Sequence, residues 1–296
     1  MAKSAERQTP LTWLMPMGTL VQFMLPRWVM TRIARVAARL VYHVNHRQRA
    51  RLVENCRHTL GPGASEQEID QAVRRTFVHL ITNYLDLLRI PVLRKRLTKL
   101  VYLDAAPLDP VMAQGKGTIL VTPHLGNWDL AGAFLAAAGY PIAAVVEPVP
   151  RGWDRTFNRY RSATALQTIP IPDHAAIARA LERHCLMALV ADRDLTGRGL
   201  VCPAFDAYRQ FPRGPAAYAL RYGMPVVVGY LVFQHRPGRP PYLGVVSPPI
   251  EFQPSGEMEK DVPALTGIIA RRLNELIARY PDQWLVFRAG WREKPA

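Results

Sequence analysis

The chain is built around Gly117-Thr-Ile-Leu-Val-Thr-Pro-His-Leu-Gly-Asn-Trp-Asp-Leu130. The apolar run from Thr118 to Val121 is rich in β-branched residues and ends at a threonine–proline break, which predicts a buried strand. Gly126-Asn127 offers a turn and a helix cap, and an alanine- and leucine-rich helix is expected from about Trp128 to Ala138. His124 should therefore lie at the carboxyl end of a strand, the edge where open α/β sheets bind ligands.

Asp129 follows His124 by five residues and falls in the first turn of the predicted helix. From there its carboxylate can fold back towards the imidazole. A carboxylate bonded to one ring nitrogen fixes the tautomer and makes the other nitrogen a better base. The same local pattern also fits a histidine with a purely structural role, so the residues alone leave both interpretations open.

Strand-like and helix-like segments alternate beyond Val101. Strands are predicted at residues 142–146, 167–171, 186–191, 225–233 and 242–246, and helices at 154–164, 173–184, 213–222 and 261–280. This alternation predicts an α/β fold with a central, mostly parallel sheet flanked by helices on both faces. No internal repeat or long linker interrupts it, so we expect residues 1–296 to form a single domain with its α/β core at 100–290.

Helical patterns dominate the region before this core. A basic helix is predicted at residues 47–60. Ser65 and Glu68 form a capping box that begins a long amphipathic helix, expected to run to about Arg89 and to end at Pro91.

The charge balance is unusual for a globular chain. Lysine and arginine total 38 against 23 acidic residues, a net charge of +15, which indicates an anionic partner such as a membrane surface, an acidic protein or nucleic acid. No zinc-ligand cluster, basic repeat or RNA-binding signature accompanies the charge, so no nucleic-acid partner is expected. Three widely spaced cysteines indicate a reduced compartment, and no run of 18 apolar residues predicts a membrane span.

The first 45 residues form an amphipathic segment. Apolar residues from Leu11 to Leu25 are followed by four arginines spaced among apolar side chains up to Leu40. This combination is typical of a helix that lies in the membrane interface, with arginines on lipid phosphates. A core helix with a solvated arginine face is the alternative. A secretory signal is disfavoured, because its charges would precede the apolar stretch.

The string His124-Leu-Gly-Asn-Trp-Asp129 resembles the His-x-x-x-x-Asp signature of the glycerolipid acyltransferases. Its Gly-Asn-Trp-Asp form is similar to that of the phosphatidylinositol mannoside acyltransferases and of the secondary acyltransferases of lipid A synthesis. Later blocks, among them Phe211 to Ala216 and Pro281 to Trp284, also resemble this family, so the likeness covers nearly the whole chain. It implies that His124 and Asp129 are catalytic.

The resemblance also implies a substrate groove. Its polar residues would be Asn127, Glu147, Arg159, Arg161, Asp192, Arg193, Asp194 and Arg213. Which of the two arginines on the 154–164 helix matches the family is ambiguous. One block departs from the family pattern: residues 204–207 stand where an apolar pair and a glycine are common, and the acidic groove residue that precedes the pair is not evident. The third member of the His124 relay is therefore left unassigned.

The reaction implied is direct acyl transfer without a covalent enzyme intermediate. His124 would remove a proton from an acceptor hydroxyl, which attacks the thioester of acyl-CoA or of an acylated acyl carrier protein. No cofactor and no metal are required. The resemblance favours a glycolipid or lipid A-like acceptor and a peripheral site on the cytoplasmic face of the bacterial inner membrane.

Two other functions fit parts of the sequence. An apolar strand followed by Asp192-Arg-Asp194 is also the metal-binding pattern of many glycosyltransferases, where paired carboxylates hold a cation on a nucleotide diphosphate. A non-enzymatic, lipid-binding module would share the basic, amphipathic N-terminus. The absence of a Gly-x-Ser-x-Gly elbow, a Walker loop and a dinucleotide fingerprint disfavours serine hydrolases, P-loop enzymes and Rossmann dehydrogenases.

Overall fold

The computed structural model describes residues 18–21, 25–93, 97–147, 164–234 and 237–294 of the chain. Among the described residues, the long helices before the sheet are α1 (Arg27–Val44), α2 (His46–Leu60) and α3 (Glu66–Leu93). They pack around a shared apolar cluster that includes Leu52 and Phe77. None of the helices that the structure describes has the length and apolar character needed to cross a bilayer.

The start of α3 confirms the predicted capping box. The Ser65 hydroxyl accepts from the backbone N–H of Glu68 at 3.3 Å, and the Glu68 carboxylate accepts from the Ser65 N–H at 2.8 Å. The predicted end of the helix is wrong, because α3 continues through Pro91 to Leu93. Pro91 lies in the last turn, where its missing N–H removes one intrahelical hydrogen bond and little helix remains to be kinked.

In the described part of the chain, seven strands form the main sheet in the order β1-β9-β8-β2-β5-β3-β4. These strands are β1 (Val101–Asp104), β2 (Thr118–Thr122), β3 (Ile142–Val146), β4 (Gln167–Pro170), β5 (Leu186–Val190), β8 (Val226–Phe233) and β9 (Tyr242–Val246). Every neighbouring pair is parallel except β8–β9, which is antiparallel. The predicted mostly parallel sheet is confirmed.

Helices cover both faces of the sheet, as the sequence predicts. One face carries Ile119, Val121 and Met187, which pack against three helices. Those helices are α6 (His174–Glu182), α7 (Gly214–Tyr222) and α8 (Met258–Arg279). The opposite face carries Leu120 and Val227 and packs against α4 (Leu108–Met112) and α5 (Trp128–Ala137). The pleat sends neighbouring residues of one strand to opposite layers, which is why β2 is buried along most of its length.

A second, antiparallel sheet was not predicted. It consists of β6 (Leu200–Ala204), β7 (Ala207–Phe211) and β10 (Trp291–Arg292), in the order β10-β7-β6. Ala204 pairs with Ala207, so Phe205 and Asp206 form a two-residue turn, with Phe205 at a positive φ of 57°. This turn has no glycine or asparagine, the residues that usually announce such a hairpin, and β6 contains a proline.

Candidate active site

A pinned turn after β2 holds His124 at the carboxyl edge of the sheet. Gly126 has a positive φ of 60°, and a Cβ added there would lie 1.9 Å from the carbonyl oxygen of Leu231 on β8, so only glycine fits. The backbone N–H of Leu285 donates to the carbonyl of His124 at 2.7 Å, and Asn83 of α3 donates to the carbonyl of Gly126. His124 is thus fixed from three directions.

The imidazole of His124 is bonded to Asp192, not to Asp129. The Nδ1 atom of the ring and Oδ1 of Asp192 are 2.6 Å apart, and the backbone N–H of His124 donates to Oδ2 at 3.0 Å. The indole Nε1–H of Trp284 also donates to Oδ2, at 2.7 Å. The expectation that Asp129 orients the ring is therefore corrected: the carboxylate that the sequence placed in the substrate groove is the one on Nδ1.

Asp192 is buried, with 1% of its surface exposed. Burial alone would raise its pKa, but the adjacent charge of His124 and the hydrogen bonds from His124 and Trp284 together hold the pKa of Asp192 well below its ordinary value. The carboxylate is therefore ionised. Because Nδ1 is occupied, Nε2 is the ring nitrogen left to accept a proton from a substrate.

Of the two polar residues next to Trp128, Asp129 faces the cavity and Asn127 is buried. Asp129 lines the same cavity as His124. Asn127 is 1% exposed and is the N-cap of α5, where its Oδ1 accepts from the backbone N–H of Leu130 at 3.0 Å. The predicted cap is confirmed, whereas the predicted contact of Asn127 with substrate does not fit a buried side chain.

Glu147 and Arg193 meet at the cavity wall as an ion pair between the ends of β3 and β5. Asp194 is turned away, because its carboxylate accepts from the backbone N–H groups of Thr196 at 3.1 Å and Gly199 at 2.9 Å within its own turn. The strand ends thus bring together two of the predicted groove residues. Asp194 has a structural role in this arrangement.

The remaining predicted groove residues are not part of this cluster. Arg213 is exposed at the start of α7 and does not line the cavity. Arg159 and Arg161, like the helix predicted at 154–164, lie outside the described residues apart from Thr164.

An apolar cavity of about 560 Å³ opens beside His124, between α5 and the sheet. Small residues face it where larger ones would fill a core: Gly132 on α5, and Ala144, Ala188 and Gly229 on the strands. Large apolar side chains complete the wall, among them Leu103, Leu120, Leu135, Ile142, Leu166 and Val246. Most of the wall is therefore apolar, with His124 and several charged side chains in the remainder, a chemistry that suits a fatty acyl chain next to a polar reacting group.

The polar part of the cavity wall includes cations that sequence reasoning missed. Arg51 and Gln48 of α2 and Arg288 of the C-terminal segment line the cavity, as does Tyr84 of α3. Arg51 donates to the backbone carbonyl of Phe287 at 3.4 Å, which ties α2 to that segment. The net charge was the one sequence signal for these residues, and it does not say which arginines converge.

The described residues contain no group of three or more histidine, cysteine, aspartate or glutamate side chains arranged to hold a metal ion. Asp192 is hydrogen-bonded to His124 and Trp284, while Asp194 accepts hydrogen bonds within its own turn. The two carboxylates therefore do not converge on a common point, and the glycosyltransferase interpretation gains no support.

Comparison with known proteins gives a consistent result. Residues 2–293 match the family model of the bacterial lipid A biosynthesis acyltransferases. Phosphatidylinositol mannoside acyltransferase of Mycobacterium tuberculosis (strain ATCC 25618 / H37Rv) is 29% identical over 190 residues, which cover 62% of this chain and 57% of that protein. The enzyme of the same name from Mycolicibacterium smegmatis is 28% identical over 230 residues, covering 75% of this chain and 73% of the relative. The resemblance seen in the sequence is thereby confirmed, and the chain belongs to the bacterial lipid A biosynthesis acyltransferase family.

Proposed function

We propose that this chain moves a fatty acyl group from a thioester donor, acyl-CoA or acyl carrier protein, to a hydroxyl of a glycolipid or lipid A-like acceptor. The observation that supports this function most is the His124–Asp192 pair in the wall of an apolar cavity. A general base needs an oriented imidazole, and an acyl donor needs a shielded apolar slot beside it. Both occur here within one site.

The chemical step begins with His124. Nε2 takes the proton of the acceptor hydroxyl as its oxygen attacks the thioester carbonyl. Asp192 stabilises the imidazolium that forms, and the tetrahedral intermediate then collapses with loss of the thiolate, which takes the proton back from Nε2. The ester and the free thiol are the products, so protons balance without a cofactor or a metal.

The cavity offers a place for the acyl chain. Its small residues on α5 and the strands leave room for methylene groups, and each one that is buried contributes about 0.8 kcal/mol. Two arginines of the cavity wall, Arg51 and Arg288, suit the phosphates of the donor or of the acceptor. Both donors carry phosphate, so this feature does not select between them.

Membrane association of the peripheral kind is part of the same proposal. The side chains of Trp28 and Leu40 on α1 are 62% and 63% exposed, and Ile33, Val36 and Val44 continue the apolar row. The exposed residues Arg32, Arg35 and Arg39 flank this row. An apolar stripe beside a cationic one fits the interface of an anionic bilayer, for which we propose the cytoplasmic face of the inner membrane.

The decisive experiment measures thiol release from acyl-CoA, and from acylated carrier protein, with lipid acceptors and a metal chelator present. We expect release to continue with chelator and to fall about 10²-fold or more in His124→Ala. His174→Ala, which removes an exposed histidine at the start of α6, is the matched control and should behave as wild type. Cation-dependent use of a nucleotide sugar, or lipid binding without any thiol release, would overturn the proposed function.

A further inference from the structure

A buried arginine lies behind the His124–Asp192 pair. Arg209 of β7 is 4% exposed, and its guanidinium packs in the corner formed by two indole rings, 4.9 Å from the centroid of Trp284 and 4.6 Å from that of Trp291, with the ring planes 70° apart. Its Nε and Nη1 atoms have no hydrogen-bond partner among the described residues. The cation is therefore held largely by ring faces, an expensive arrangement unless a nearby anion compensates it.

Further contacts hold Trp291 in place beside the guanidinium. The Nε1–H of Trp291 donates to the Asn55 side chain at 2.9 Å, and the Asn55 amide donates to the carbonyl of Val286 at 2.7 Å. Trp291 also packs on the His58 ring, with ring centroids 4.0 Å apart. His58 in turn is paired with Asp206 of the β6–β7 turn at 2.5 Å. These contacts tie α2, the hairpin and the C-terminal segment to the guanidinium.

Trp284 connects the cation to the catalytic pair. One edge of its indole donates to Asp192, while its face carries Arg209. Burial lowers the pKa of Arg209, and the nearby carboxylates Asp192 and Glu54 act in the opposite direction, whereas Arg193 lowers it further. Asp192 is thus bonded to His124 and lies near the charge of Arg209. Arg209 remains protonated, since arginine does not lose its proton in proteins.

We propose that Arg209 is a positioning residue for His124, its buried charge offsetting that of Asp192 so that the imidazole stays neutral and able to accept a proton. This inference rests on the proposed general-base role of His124. An uncompensated carboxylate in a low-dielectric site would act fully on the ring and stabilise the imidazolium, the form that cannot take up a proton from the acceptor. The indole of Trp284 contacts both charged groups and so fixes their relative position.

The test is the pH dependence of kcat/KM for thiol release by the full chain. In Arg209→Met the acid limb of the profile should move to higher pH by about half a unit or more. The rate at a given pH on that limb should then fall about threefold, whereas the rate on the high-pH plateau should equal that of wild type. Arg209→Lys keeps the charge and should restore the limb. Arg221→Met, which removes an exposed arginine of α7, is the control and should leave the profile unchanged.

Two further measurements keep every outcome informative. The midpoint of the His124 ring titration, followed by NMR in wild type and Arg209→Met, should rise in the variant whether or not a substrate has been found. If Arg209→Met does not fold, Arg209→Gln takes its place, because it also removes the charge but keeps polar groups in the buried site; the same upward shift is expected. An unshifted limb and midpoint in the folded variant would overturn the role of Arg209, whereas wild-type protein that releases no thiol would overturn the proposed function instead.

Discussion

Replacing Asp192 by asparagine should nearly abolish acyl transfer while the fold persists. Asp192 lies 2.6 Å from Nδ1 of His124 and also accepts from the His124 backbone and from Trp284. An asparagine can keep its carbonyl oxygen on those two N–H donors. Its amide N–H would then face Nδ1, so the ring would carry its proton on Nε2 and could no longer accept one there.

The magnitude follows from this change of tautomer. The equivalent substitution in the serine-protease triad lowers kcat about 10⁴-fold, or about 5.5 kcal/mol in activation free energy. His124 is held by backbone contacts as well as by Asp192, so its ring should stay in place with the wrong nitrogen protonated. We therefore expect kcat in Asp192→Asn to fall about 10³- to 10⁴-fold, with melting temperature changing much less.

The assay combines thiol release with ¹⁵N NMR of the histidine ring. Wild type should carry the ring proton on Nδ1 and Asp192→Asn on Nε2. Asp194→Asn makes the same chemical change two residues along, where the carboxylate serves its own turn, and should stay near wild-type activity. Asp129→Asn tests the pairing expected from sequence and should leave the proton on Nδ1. Activity of Asp192→Asn within tenfold of wild type, or an unchanged tautomer, would refute the reasoning.

Three other outcomes are expected. The pKa of Asp192 in the folded protein lies below the ordinary value of about 3.9, so its contribution to the free energy of unfolding is present above that pH and is lost as the pH falls below it. The free energy of unfolding in urea should therefore depend less on pH in the acid range for Asp192→Asn than for wild type; equal pH dependence would contradict this. Ala144→Leu should reduce the volume of the cavity and lower kcat/KM for the longest acyl donor about tenfold or more relative to shorter donors. Ala137→Leu, on the exposed side of α5, should have no such effect, and an equal loss for all chain lengths would contradict binding of the acyl chain in the cavity. Leu40→Asp should reduce co-sedimentation with anionic vesicles more than Met258→Asp, a control at another exposed site. Binding of the wild type to the vesicles should weaken as the salt concentration rises from about 0.1 M to 1 M, and binding that is unaffected by both changes would contradict docking through α1.

The predictable part of the fold was the part with strong local signals. The run of β-branched residues in β2 and the asparagine cap of α5 gave element bounds within about two residues of those observed. The β6–β7 hairpin lacked such signals, because its turn uses Phe205 and Asp206, and a positive φ at phenylalanine is not announced by residue type. That omission mattered for the site, since Arg209 lies on β7.

The orienting carboxylate was hidden for a different reason, which concerns sheet order rather than local pattern. Asp129 is near His124 in sequence, so it was the natural partner. In the sheet, β2 lies beside β5 with Thr122 opposite Val190, and His124 and Asp192 each stand two residues beyond that pair. Because β2 and β5 are parallel and paired in this register, the residues that follow them lie close together, so His124 and Asp192 meet once the two strands are neighbours. Strand order depends on how helices pack over the whole sheet, and no single segment of the sequence specifies it.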